Sequence, residues 1–184
     1  MRLLQQHAVG LIVDVQERLF PVMRDGATLT ENLQTLIRGL GVLNVPIVVT
    51  EQYRKGLGET IEPVRSVVEE TLGTWEPIEK TAFSCCDEPA ILRRLEERSR
   101  TSVIIAGIEA HVCVLQTAMD LLSGGYTPVV VADAVSSREA LDQDVALRRM
   151  EAQGVILTTT ESLLFELTRY SRSDAFKAVS KLVK

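Results

Sequence analysis

Three side chains in this sequence can do covalent chemistry together if the fold brings them to one place: Asp14, Lys80 and Cys113. A carboxylate beside a thiol can take its proton as a general base, and an ammonium within ionic reach stabilises both the carboxylate and the thiolate. The sulfur then attacks an electrophilic carbon and gives a covalent intermediate. Charge developing on a carbonyl oxygen needs fixed donors, which backbone N–H groups of the 107–113 turn can supply. Each residue also has a plainer use. Asp14 can cap the segment after it, Lys80 can be solvated, and Cys113 can be packing, the commoner fate of a free thiol. The chemical reading stands on their joint position.

That position is set by the elements around them. Val103, Ile104, Ile105 and Ala106 form an apolar run without alternation, as a strand covered on both faces should, and the run stops at Gly107. From Val114 the spacing turns helical, with Val114, Leu115, Ala118, Leu121 and Leu122 on one apolar face. This predicts a strand, a turn, and Cys113 in the first turn of a helix, where free N–H groups and the helix dipole would lower its pKa. Asp14 ends an apolar strand over 8–13. Lys80 ends a short extended piece, 75–80, that is polar for a core strand. In a parallel sheet the C-terminal strand ends share one edge, where ligands bind.

The rest of the chain repeats the alternation. Further strands are predicted over 46–50, 127–132 (ending on Asp133, read as structural) and 155–157. Helices are predicted over 28–43 with Thr28 or Thr30 as cap, 63–70, 87–98 capped by Asp87, 113–123, 138–153 capped by Ser136 or Ser137, 160–168 and 173–182. The fold class is therefore α/β: three layers with a six-stranded parallel sheet between helices. With 184 residues and 46% hydrophobic content the chain fits one domain, 1–184, with a sizeable core. The polar, glycine-bearing segment 51–58 leaves its strand at the same edge as Asp14 and should overhang a site there.

Composition excludes several classes. The net charge of −5 is scattered, which argues against nucleic-acid partners and against a polybasic membrane surface. The first apolar run is strand-length, too short to span a bilayer, and no leader pattern precedes it. Three cysteines, with Cys85 and Cys86 adjacent, make no disulfide framework and point to a reducing cytoplasm. Cys85-Cys86 lacks the spacing of a redox pair and reads as packing or surface thiols. His111, two residues before Cys113, should point away from the thiol, and His7 lies at the opposite sheet edge. No glycine-rich turn follows the first strand, so nucleotide binding is not indicated. Arg54 and Lys55 suit either a substrate carboxylate or solvent.

The motifs Leu11-Ile12-Val13-Asp14-Val15-Gln16, Glu79-Lys80-Thr81-Ala82-Phe83-Ser84 and Gly107-Ile108-Glu109-Ala110-His111-Val112-Cys113-Val114 resemble, in order and spacing, the three signatures of the isochorismatase-like cysteine hydrolases. The resemblance implies an Asp14–Lys80–Cys113 triad, a non-proline cis peptide at Ile108–Glu109, and oxyanion donors from the backbone N–H groups of Glu109 and Cys113. Nicotinamidases of that family carry an Asp-x-His metal motif after the second strand. Here that place reads Glu51-Gln52-Tyr53, so no metal and no cofactor are expected. Isochorismatase itself does not depend on a cysteine, so Cys113 tilts the reading toward C–N hydrolysis of a small amide-like substrate. Gln16, Phe20, Tyr53 and Phe83 are candidates for the pocket wall. The family and the apolar stripe of the last helix point to a homo-oligomer. The alternative is a catalytically silent member that serves as a self-assembling scaffold or binding module.

Overall fold

The longest uninterrupted apolar runs become the centre of the sheet. In the computed structural model, which describes residues 2–184, β1 (Ala8–Val13) and β4 (Ser102–Ile108) are buried at every position. They lie side by side and parallel, in register from Ala8↔Ser102 to Val13↔Gly107. Next to β1 comes β2 (Ile47–Gln52), then β3 (Ile78–Lys80). Next to β4 comes β5 (Thr127–Ser136), then β6 (Ile156–Thr158). Every pairing is parallel, in the order β3-β2-β1-β4-β5-β6. The chain therefore builds outward from β1 to β3, crosses back, and builds the other way from β4. The β1/β4 pair is the switch point, where diverging connections leave a crevice at the C-terminal strand ends.

Side chains alternate between the two faces. Ala8, Ile12, Ile104 and Ala106 join one core with the apolar faces of α1 (Gly26–Val42), α3 (Glu62–Leu72), α7 (Thr160–Thr168) and α8 (Phe176–Leu182). Val9, Leu11, Val13, Val103 and Ile105 join the other with α4 (Pro89–Glu97), α5 (Leu115–Ser123) and α6 (Ala140–Gln153). Each such aliphatic side chain contributes about 1.5–3 kcal/mol when fully buried, so the central strands and the edge where they end are firmly held. The remaining helix, α2 (Arg54–Leu57), is a single turn in the segment that overhangs this edge.

At the crevice the last residues of β1 and β4 come unusually close. A Cβ on Gly107 would overlap the backbone of Val13, and Gly107 has φ +117°. Only glycine meets both demands. Several helix starts differ from the sequence-based expectation because their cap candidates have other partners. Thr30 Oγ1 donates back to the Gly26 carbonyl at 2.8 Å, inside α1. Ser136 Oγ donates to the Arg24 carbonyl at 2.9 Å, Ser137 Oγ pairs with His111 Nδ1 at 2.9 Å, and α6 begins only at Ala140. Asp87 closes a short 3-10 turn, and Glu88 caps α4 by accepting from the Ala90 N–H. β5 continues past Asp133, whose Oδ1 accepts from the N–H and hydroxyl of Thr160 at the start of α7. Among the described residues no helix is long and apolar enough to cross a membrane.

Candidate active site

Asp14 leaves β1 through a left-handed residue, φ +52°, a conformation aspartate tolerates better than most. Its side chain is fully buried, and Oδ1 accepts from Thr50 Oγ1 on the neighbouring β2 at 2.7 Å. Lys80 ends β3, two strands from β1. Its side chain, also 0% exposed, brings Nζ to 2.6 Å from Asp14 Oδ2. Nζ also donates to Gln52 Oε1 at 2.7 Å and to the carbonyls of Ala82 and Phe83, both at 3.1 Å. An ammonium has three protons, and with Asp14 four acceptors share them. The approach to Asp14 Oδ2 is the shortest of the four and is a charge-assisted contact between two buried ions. Burial works against the Lys80 charge, but Asp14 first, then Cys113 and Cys85, outweigh it and hold the pKa above the ordinary lysine value.

Cys113 is reached from the other side of the crevice. After β4 the Ile108–Glu109 peptide is cis, and a wide π-type turn over Ala110–Val114 precedes α5. Both Val112 N–H and Val114 N–H donate to the Glu109 carbonyl, at 3.1 and 3.2 Å. The residue is buried, 5% exposed. Burial pushes its thiol up to about 12. The Asp14 charge and a thiol–carboxylate interaction act the same way, and Lys80 pulls against them. This corrects the expectation of a lowered pKa. Cys113 lies in the wide turn before α5, buried beside a carboxylate, so desolvation outweighs the help of a helix N-terminus. At neutral pH the resting sulfur carries its proton.

The flanks of the site are held by polar clamps. Glu51, 1% exposed in its side chain, accepts from the N–H and hydroxyl of Thr60 at 2.8 Å and from Arg54 Nε at 2.6 Å. Its carboxylate thus ties down the overhanging segment. Among the described residues no group of three or more His, Cys, Asp or Glu side chains is placed to hold a metal ion. Glu109 Oε2 accepts from Arg138 Nε at 2.9 Å, joining the cysteine turn to the end of β5. Cys85 is fully buried; burial and then the Asp14 charge push its thiol up to about 12 as well, against Lys80 and contacts with Thr117 and Thr50.

Residues 8–162 match the family model described as the isochorismatase domain. The chain belongs to the isochorismatase family. Among this family, the secreted isochorismatase effector Isc1 of Phytophthora sojae is 37% identical over 185 residues, covering 100% of this chain and 87% of that protein. A solved structure, MAR1 ribonuclease from Caenorhabditis elegans, superposes with a TM-score of 0.90 at 38% identity, covering 100% of this chain and 92% of that one. YcaC from Pseudomonas aeruginosa, solved with hexane-2,5-diol and covalent acrylamide, also gives 0.90, at 25% identity and with 98% and 91% coverage.

In this isochorismatase-family chain the expected residues fall into three groups. Asp14, Lys80 and Cys113 come together in the crevice, with Glu109 in the turn beside them. Tyr53 and Phe83 are exposed, and Phe20 is partly buried against the core. Gln16 does not face a pocket. It is 0% exposed, and its carboxamide accepts from Gln52 N–H at 2.7 Å and donates to the carbonyls of Gln52 and Gly58 at 2.9 and 2.7 Å. A side chain is pairing there as a strand would, closing the overhang onto β2. Thr50 and Gln52 were not anticipated. Their only signal is that the apolar run of β2 ends in Thr50-Glu51-Gln52, whose first and last members share one face of the sheet.

Proposed function

We propose that the chain is a cysteine hydrolase that cleaves a C–N bond of a small amide-like substrate through a thioester. The observation that carries this is the buried Asp14–Lys80 ion pair, 2.6 Å apart, whose two charges act on the buried Cys113 thiol. Asp14 takes the proton from sulfur as the sulfur attacks the carbonyl carbon, and Lys80 keeps the resulting charges balanced. The oxyanion is met by the N–H groups of Glu109 and Cys113. Asp14 returns the proton to the departing nitrogen, the amine leaves, and water hydrolyses the thioester with Asp14 again as base. Family membership supports a hydrolase-like function. The covalent acrylamide in the YcaC structure supports an electrophile-capturing group on this fold. Tyr53 and Phe83 form the rim that selects the substrate. We read residues 1–184 as one hydrolase domain working as a homo-oligomer in the cytoplasm, on small molecules rather than nucleic acid.

The test is a panel of small primary and N-substituted amides, with RNA included because the C. elegans relative is named a ribonuclease. Wild type is expected to hydrolyse at least one amide with an acyl adduct on Cys113 by mass spectrometry. Cys113→Ala and Asp14→Asn should each lower turnover by about a thousandfold or more. An adduct on Cys85 instead, or RNA cleavage that Cys113→Ala abolishes, would overturn the reading.

A further inference from the structure

Thr50 grips Asp14 at two points. It stands opposite Val13 in the β1–β2 register, one residue short of Asp14. Its carbonyl accepts from the Asp14 N–H at 3.2 Å, and its hydroxyl donates to Asp14 Oδ1 at 2.7 Å. Both residues are 0% exposed, so solvent has no access to replace either bond. A threonine is stiff at χ1 because its Cβ is branched, which keeps the hydroxyl where the strand puts it. That hydroxyl has one proton to give, and both the Asp14 carboxylate and the Cys85 thiol lie against it. At neutral pH Cys85 keeps its own proton, so the ionised carboxylate is the stronger acceptor and takes the bond.

We infer that Thr50 is a positioning residue: its hydroxyl fixes the rotation of the Asp14 carboxylate, so that the group meets Lys80 with one oxygen and stays turned toward the Cys113 thiol. This rests on the proposed triad. A carboxylate has broad torsional freedom about the bond that carries it, and one partner on one oxygen leaves much of that freedom intact. Here Lys80 restrains Oδ2 at 2.6 Å and Thr50 restrains Oδ1, so the plane is set from two different strands. The thiol–carboxylate interaction of Cys113 is made with the group held in that plane. Remove the hydroxyl, and the carboxylate is free to turn after the ammonium, offering it either oxygen. Its aim at the sulfur is then lost, while its charge and its ion pair remain.

The test needs no substrate. Iodoacetamide alkylates Cys113 when the thiol proton passes to Asp14, the S–C bond forms and iodide departs. The rate is read between pH 6 and 8, with the adduct located by peptide mapping. Thr50→Val keeps the shape and removes the donor, and is expected to slow alkylation about tenfold or more, the scale of one hydrogen bond to a charged group. Thr50→Ser keeps the donor and gives up the methyl, and should stay within about threefold of wild type. A packing role predicts the reverse order of the two. If the valine variant does not fold, Thr50→Ala set against Thr50→Ser isolates the same hydroxyl. Added to Asp14→Asn, Thr50→Val should slow the sulfur no further, because the hydroxyl works only through that carboxylate. A Thr50→Val rate within about threefold of wild type, a Thr50→Ser rate as low as that of Thr50→Val, or a further loss of about tenfold in the double variant overturns the inference. Asp14→Asn by itself separates the two levels: if it leaves alkylation unchanged the triad fails, whereas if it slows alkylation and Thr50→Val does not, only the role of Thr50 falls.

Discussion

The two sides of the crevice are built by different means. On the β1–β2–β3 side, Asp14 and Lys80 are wholly buried, and Thr50 and Gln52 complete their surroundings. On the β4–β5 side, the cysteine turn is held by backbone bonds to the Glu109 carbonyl and by an ion pair whose arginine, Arg138, is 56% exposed. The first side is a set of charges that only the fold keeps together. The second is a backbone shape with a solvated strut. An interaction in low dielectric is costly to break, because the partner left behind is stranded. A solvated one is replaced by water.

The most damaging way to probe that contrast is Lys80→Met. It keeps most of the side-chain volume and leaves Asp14 buried without its counter-charge. Breaking a buried pair in this way typically costs about 3–5 kcal/mol, a large part of a domain's stability. Urea denaturation should show this loss together with loss of turnover. Asp14→Asn combined with Lys80→Met should recover much of the stability and none of the activity, since removing both charges leaves none stranded. A single variant as stable as wild type would mean that the buried pair is not what holds this side of the crevice.

This contrast also explains how much could be read from the chain alone. The runs of Val, Ile and Leu mark five of the six strands and their parallel packing, because burial on both faces leaves a plain mark in composition. Asp14 could be placed since it follows such a run directly, and Cys113 since it stands where the spacing turns helical after one. Lys80 ends a polar three-residue strand, so its position rested on motif spacing rather than on hydrophobic pattern. Gln16 was misread because a glutamine beside a catalytic acid looks like a substrate contact. Nothing in its neighbours shows that its amide will pair with the backbone of Gln52, thirty-six residues on. Cys113 was given the wrong direction of pKa shift for a related reason. A helix N-terminus is visible in sequence, but the desolvation that outweighs it is a property of the packed crevice. Ser136 and Ser137 looked like helix caps because capping is local, whereas their partners Arg24 and His111 come from elsewhere in the chain.

A gentler probe of the buried side is alkaline pH. Cys85 and Cys113 are each held up at about 12, above the ordinary thiol range. The unfolded chain releases these protons once the pH passes about 8.5–9, while the folded chain keeps them until near 12, so the unfolded state gains on the folded one across that window. Lys80 acts in the same direction: its raised pKa contributes stability that is present below the unfolded lysine value and lost as pH rises through the folded one. Stability should therefore be level near neutrality and fall from about pH 9 upward, by up to about 1.4 kcal/mol per pH unit for each thiol. Urea midpoints between pH 7 and 11 measure this. Replacing both Cys85 and Cys113 by Ala should flatten most of the decline, and a decline unchanged in that variant would place its origin outside the two thiols.

The smallest effect is expected on the other side, from Arg138→Ala. Glu109 keeps its place through the backbone: its carbonyl still receives the N–H groups of Val112 and Val114. What the substitution removes is a strut whose cationic end already lies in water, and a freed carboxylate 9% exposed can recruit solvent in its place. The urea midpoint should therefore stay where it is, and Cys113 alkylation by iodoacetamide should change by less than about threefold, since exposed pairs contribute little. Raising the ionic strength should mimic the variant in the wild type, because screening acts on this pair and hardly reaches the buried one. If instead Arg138→Ala slows the sulfur as much as Asp14→Asn does, the turn is not self-supporting, and the two sides of the crevice depend equally on their charges.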